Sequence, residues 1–202
     1  MQRCVIALTA AALLLGAVRA TQAQNINDKI EIGQKAPGFK NLPGVDGRTH
    51  SLSDFTKGAK CTIVVVTCNH CPVAVAYEDR IIDFVKDYAS KGVKLVAVNV
   101  NNLQADKLPA MKVRARDKSF NFPYLYDSSQ AIGRELGAGV TPEFFVIDAA
   151  GKIVFTGGMD DNMNPDKVTK QHLRDAVDAV LAGKPVPVAK VERRGCSVKY
   201  DN

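Results

Sequence analysis

The chain has 202 residues, of which 46% are hydrophobic and 24% charged, and it carries a net charge of +6, five cysteines and no tryptophan. That length suits one domain with extensions, and that apolar content excludes a disordered chain. The basic excess is mild and forms no stripe interleaved with aromatic residues, so nucleic acid is not an expected partner.

The chain opens with Met1-Gln2-Arg3, an apolar run from Val5 to Val18, and small residues around Ala20 and Ala23. A basic start, an apolar middle and a small-residue exit describe a secretory signal peptide over residues 1–23, with cleavage after Ala20 or Ala23. The apolar run is short for a membrane span, so export to a periplasm or beyond is expected, without stable membrane insertion. Residues 24–184 read as one globular domain and residues 185–202, rich in Pro, Val, Lys and Arg, as a C-terminal arm. Cys4 leaves with the signal peptide. The mature chain keeps Cys61, Cys68, Cys71 and Cys196, which permit three full pairings and are too few for a disulfide-built scaffold.

Arg48 to Leu52 reads as a short strand after the Asp46-Gly47 turn, and Ser53-Asp54-Phe55, followed by Lys57-Gly58, as one turn of helix or a loop. Cys61 to Thr67 is continuous, β-branched and uncharged, the pattern of a buried central strand. After Cys71, the residues Tyr77, Ile81, Phe84, Val85 and Tyr88 recur at helical spacing until Gly92. Val93 to Val98 forms a second buried strand, Asp106 to Lys118 a helix, Tyr124 to Tyr126 a short strand, and Ser129 to Leu136 a short helix. Glu143 to Ile147 and Lys152 to Thr156 form a hairpin. Asn164-Pro165-Asp166 has the form of a helix start, and Leu173, Val177, Val180 and Leu181 give that helix its buried stripe. This order gives parallel strands first and an antiparallel pair last. The expected fold class is α/β, a mixed central sheet with helices on both faces.

The chemistry concentrates in Cys68-Asn69-His70-Cys71-Pro72, where a buried strand hands over to a helix. Thiols three positions apart at a helix start suit thiol–disulfide exchange: the helix N-terminus stabilises a thiolate, and the second thiol lies one turn on. Cys68 reads as the nucleophile and Cys71 as the resolving thiol. A metal knuckle or an inert structural disulfide is the plain alternative, but no second ligand pair is spaced for zinc, and no metal is expected. His70 is either an exposed loop residue or a cation that lowers the Cys68 pKa. A lowered pKa stabilises the dithiol over the disulfide, so a potential above that of thioredoxin is expected. Glu78, Asp79 and Arg80 read as a solvated helix face. Three roles stay open for Cys196: a third redox cysteine on the arm, a structural bridge to Cys61, or a free thiol. For Cys61, a small apolar core residue is the plain role.

Four segments resemble the thioredoxin fold in its redoxin branch, which includes peroxiredoxins and exported TlpA/ResA-like thiol–disulfide proteins. They are Gly33-Gln34-Lys35-Ala36-Pro37-Gly38-Phe39, the dithiol, Val140 to Asp148 around Thr141-Pro142, and the hairpin from Asp148 to Phe155. The dithiol with Tyr77-Glu78-Asp79-Arg80 and the ending Gly195 to Tyr200 is similar to the peroxiredoxin-like thioredoxin-family proteins of the AhpC/TSA superfamily. The resemblance implies a cis Thr141-Pro142 bond facing the dithiol, with Thr141 and Pro142 presenting backbone to an extended substrate segment. Glu143 beside it is either a proton-transfer group or a solvated acid. It also implies a cofactor-free oxidoreductase with a redox partner protein and thiol or disulfide protein substrates. Two departures stand out. Thr67 replaces the usual Trp before the first cysteine, and neither thiol meets the peroxidase pattern P-x-x-x-T-x-x-C. A thiol peroxidase is therefore the second reading, and a copper metallochaperone the third, although its pattern is C-x-x-x-C-P and His172, on the last helix, has no evident way to reach the site.

Overall fold

The computed structural model describes residues 25–201. The signal peptide expected over residues 1–23 lies outside the described residues. No helix among the described residues is long and apolar enough to cross a membrane.

The first elements are short: β1 (Leu42–Pro43) pairs antiparallel with β2 (Thr49–His50). The helix α1 (Leu52–Thr56) follows, its start fixed by the Asp54 carboxylate accepting the Ser51 N–H at 2.8 Å. The main sheet has five strands in the order β5-β4-β3-β7-β8. These are β3 (Cys61–Thr67), β4 (Val93–Asn99), β5 (Tyr124–Tyr126), β7 (Glu143–Asp148) and β8 (Ile153–Gly157). The strands β3, β4 and β5 run parallel, while β7 and β8 join antiparallel. All seven residues of β3 are buried, as expected for the strand at the centre of the sheet.

The pleat sends alternate side chains to opposite faces. Ile63 and Val65 of β3, with Phe144 and Val146 of β7, meet α2 (Pro72–Tyr88), α3 (Leu108–Asp117) and α5 (His172–Leu181). Val64, Val66, Phe145 and Ile147 point the other way, onto Phe55 of α1, Ile132 of α4 (Ala131–Glu135) and Val198 of the arm. Each such apolar side chain contributes roughly 1.5–3 kcal/mol by leaving water. The α/β mixed sheet with helices on both faces matches the order of elements in the sequence.

Asn164 caps only a 3-10 turn, Pro165–Lys167, and the last helix starts later, at His172. The Asp161 carboxylate accepts the N–H groups of Thr169 and Lys170 at 2.8 and 3.0 Å, which draws those amides out of a helical path.

The arm is stitched along the body. Thr156 and Lys190 form a bridge, and Val191 and Val198 are buried. The arm's strand β9 (Cys196–Ser197) pairs antiparallel with β6 (Val140–Thr141).

Candidate active site

The parallel strands β3 and β4 end together, Thr67 opposite Asn99, and the chain leaves the sheet there as Cys68-Asn69-His70-Cys71. Pro72 starts α2 without needing an N–H partner, and Cys71 becomes the residue that caps the helix. Cys68 is 2% exposed and Cys71 is fully buried. All four described cysteines are free thiols.

Cys71 Sγ accepts the Ala74 N–H at 3.5 Å and the Cys196 N–H at 3.4 Å. The neighbouring Cys68 and Cys196 thiols, with these amides, hold Cys71 well below the ordinary thiol range. Cys71 Sγ lies 3.2 Å from the Thr141 carbonyl, a contact only the protonated sulfur can use. Cys68 moves the opposite way: donation to Cys71, burial and the charge of Asp106 all push its thiol up, against a bond with the Thr141 hydroxyl. The amide donors therefore favour negative charge at Cys71, next to the Cys68 on which the sequence placed it. The physical reason is position, because the free amides of a helix start converge on its capping residue.

His70 does not simply face Cys68 as a free cation. Its Nδ1 bonds to Asp106 Oδ2 at 2.5 Å. Asp106 is fully buried and also accepts the Asn69 N–H at 2.7 Å and the Asn99 side-chain amide at 3.3 Å. The ligand atoms of Cys68, His70 and Asp106 lie within 4.8 Å of one another. These are the described residues that could hold a metal, and the sequence, which offered no second ligand pair, concealed them because Asp106 is remote from the motif. The donor set fits an ion poorly, since the Asp106 oxygens already take hydrogen bonds and the Cys68 thiol is shared with Thr141 and Cys71.

The Thr141-Pro142 bond is cis, as the resemblance implied, and both sulfurs reach this strand. Thr141 Oγ1 is 3.1 Å from Cys68 Sγ. Its backbone edge, expected to receive substrate, is taken by the chain's own arm, with Thr141 opposite Cys196. Glu143 is neither exposed nor free for proton transfer. It is fully buried and paired with Arg193 at 3.0 Å, and it accepts from Asn27 at 2.8 Å.

Cys61 sits at the opposite end of β3, about 20 Å or more from Cys68 at a strand's rise of about 3.3 Å per residue. A bridge from Cys61 to Cys196, one of the three roles left open for Cys196, is therefore excluded, because Cys196 stands beside Cys71. Of the three helix residues expected to be solvated, Asp79 is exposed, whereas Glu78 and Arg80 are engaged. Glu78 is buried and bound by Arg114 at 2.6 Å, and Arg80 pairs with Asp160 at 2.6 Å. Sequence reasoning missed Asp106 and Arg193. One signal for the first was available: Asn99, Asn101 and Asn102 crowd amides at the end of a buried strand, where they need buried partners.

A central β-strand that runs into a capped dithiol, faced by a cis-proline strand, defines the thioredoxin class. The Redoxin family model matches residues 31–173, and the chain belongs to that family, as a thioredoxin-fold redoxin of the TlpA/ResA type. A thiol-disulfide oxidoreductase ResA from Geobacillus thermodenitrificans is 29% identical over 180 residues, covering 85% of this chain and 95% of the relative. The crystal structure of a hypothetical protein SMc02350 from Sinorhizobium meliloti 1021 aligns at 34% identity and TM-score 0.81, over 88% of this chain and 98% of that one. An uncharacterized conserved protein from Geobacillus kaustophilus aligns at 34% identity and TM-score 0.80, over 87% and 95% of the two chains.

Proposed function

We propose that this chain, an oxidoreductase of the thiol–disulfide class, works through a Cys68–Cys71 dithiol that closes to a disulfide, and that it does so after export. The observation that carries this reading is the Cys71 sulfur at the cap of α2, accepting the N–H groups of Ala74 and Cys196, with Cys68 packed beside it. As a substrate disulfide approaches, Cys68 gives up its proton to solvent and its sulfur attacks, forming a mixed disulfide and expelling one substrate thiolate, which takes up a proton. Cys71, as its thiolate, then attacks Cys68 Sγ. The Cys68–Cys71 disulfide forms and the second substrate thiolate leaves. No bound cofactor is needed, and a redox partner protein restores the dithiol. The basic, apolar, small-residue opening supports export.

The test is mass mapping of the protein equilibrated with oxidised glutathione, alongside the Cys71→Ser variant. A Cys68–Cys71 bond in the wild type and a glutathione adduct on Cys68 in the variant are expected. A wild type that keeps both thiols free, or that consumes hydrogen peroxide faster than it exchanges with glutathione disulfide, overturns the reading.

A further inference from the structure

We propose that Cys196 is a third exchanging thiol and the port through which a dithiol reductant recharges the buried pair. This inference rests on the dithiol reading above and adds a residue and a route to it.

Three sulfurs meet at one point, and Cys71 is the middle one. Cys68, Cys71 and Cys196 pack together around Ala74. Cys196 presents its N–H to Cys71 Sγ at 3.4 Å, and its side chain packs against the same cluster. Of the three, Cys196 alone is partly exposed, whereas Cys68 and Cys71 are buried. A reductant that approaches the docked molecule therefore meets Cys196 before it meets Cys71.

The arm is built to hold Cys196 there. Three residues before it, Arg193 Nη1 pairs with the buried Glu143 at 3.0 Å and donates to the Gly137 carbonyl at 3.0 Å. Three residues after it, the Lys199 N–H donates to Asn101 Oδ1 at 2.6 Å. Gln130, itself buried, donates to the Lys199 carbonyl at 2.8 Å and accepts the Asp201 N–H at 2.7 Å. Directly before the cysteine, Gly195 passes so close to Thr141 that an added Cβ would stand 2.0 Å from its carbonyl oxygen. A side chain at position 195 would push the arm off β6. Fixing both flanks makes sulfur exchange an intramolecular step between groups already in position.

The chemistry balances without an added oxidant. In the oxidised protein, the Cys196 sulfur gives up its proton to solvent and attacks Cys71 Sγ. The Cys68–Cys71 bond breaks, Cys71–Cys196 forms, and Cys68 leaves as a thiolate that takes up a proton. A partner thiolate then attacks Cys196 Sγ, forms a mixed disulfide with it, and expels Cys71. The amides at the α2 cap make Cys71 a stabilised leaving group, which speeds that step. The partner's second thiol resolves the mixed disulfide and takes the oxidation away. Substrate disulfide is thus reduced at Cys68 and electrons arrive at Cys196, so the two partners need not compete for one surface.

The test uses the full chain, diamide as oxidant and reduced glutathione as the reductant probe, with cysteine pairs mapped by mass spectrometry. Diamide-treated Cys68→Ser is expected to carry a Cys71–Cys196 bond. Oxidised Cys196→Ser is expected to contain Cys68–Cys71 and to be reduced by glutathione at least tenfold more slowly than the wild type. Gly195→Ala is expected to lower the yield of Cys71–Cys196 several-fold while Cys68–Cys71 still forms. Free thiols at both Cys71 and Cys196 in oxidised Cys68→Ser, or a wild-type reduction rate in Cys196→Ser, overturn the third thiol and leave the dithiol reading intact. Absence of Cys68–Cys71 from Cys196→Ser and wild type alike removes the dithiol reading itself.

Discussion

Asp106 holds His70 by a bond of 2.5 Å from Nδ1 to Oδ2, and the pair stands beside Cys68 with the Asp106 carboxylate fully buried. The carboxylate raises the Cys68 thiol, and the imidazole bound to that carboxylate is expected to offset it. Removing either partner should therefore move Cys68 in opposite directions. Asp106→Asn is expected to lower the Cys68 pKa and His70→Ala to raise it further. A one-unit change in pKa changes the thiolate fraction about tenfold and corresponds to about 1.4 kcal/mol. Iodoacetamide labelling of Cys68 across pH, read by peptide mass, checks both. The same curve for both variants would show that the dyad does not act on Cys68.

Arg193 carries the charge that a buried Glu143 needs. Burial raises the Glu143 pKa and Arg193 opposes that rise. Arg193→Ala leaves the carboxylate unpaired and should destabilise the fold by about 3–5 kcal/mol at neutral pH. Without Arg193 the folded-state pKa climbs further above the unfolded one. The stability of the variant is then present at low pH and is lost as pH rises through the raised folded value. Urea unfolding at about pH 4 and about pH 7 should show the deficit growing with pH.

Cys71 has a folded-state pKa depressed below its unfolded value. Its contribution to the reduced protein is present above the unfolded thiol value of about 8.5 and is lost as pH falls toward the depressed one. Over that window the reduced form should lose up to about 1.4 kcal/mol of stability, relative to the oxidised form, per pH unit of acidification. Two electrons then travel with one proton, so the potential should fall by about 30 mV per pH unit, half the about 59 mV of a pair protonated at both sulfurs. At neutral pH the potential should lie above the thioredoxin value of about −270 mV. Equilibration with glutathione buffers at several pH values measures slope and level together.

Cys61 is 1% exposed and burial pushes its thiol up to about 12. It should stay unlabelled by iodoacetamide in the native protein at about pH 8 and label fully in urea. Cys61→Ala should leave the pairing of the other three cysteines unchanged, as mass mapping of the oxidised variant will show.

The element order, the central strand and the position of the dithiol were legible in the sequence because they are local. β-branched continuity over Cys61 to Thr67, the apolar spacing from Tyr77 to Tyr88, and Pro72 after Cys71 each act within a few residues. Which sulfur holds the charge was not legible. It depends on whether amides aim at the first or the second cysteine, and only the place where α2 begins decides that. Asp106, Glu143 with Arg193, and the meeting of Cys196 with Cys71 were hidden for one shared reason. Each joins segments 36 to 125 positions apart, and nothing in local spacing encodes the partner of a buried charge or thiol. The sequence by itself determined that a dithiol stands where a strand meets a helix. The tertiary structure alone decided that the arm returns to it, because the pairing of β9 on β6 and the ion pair that anchors it exist only once the sheet is assembled.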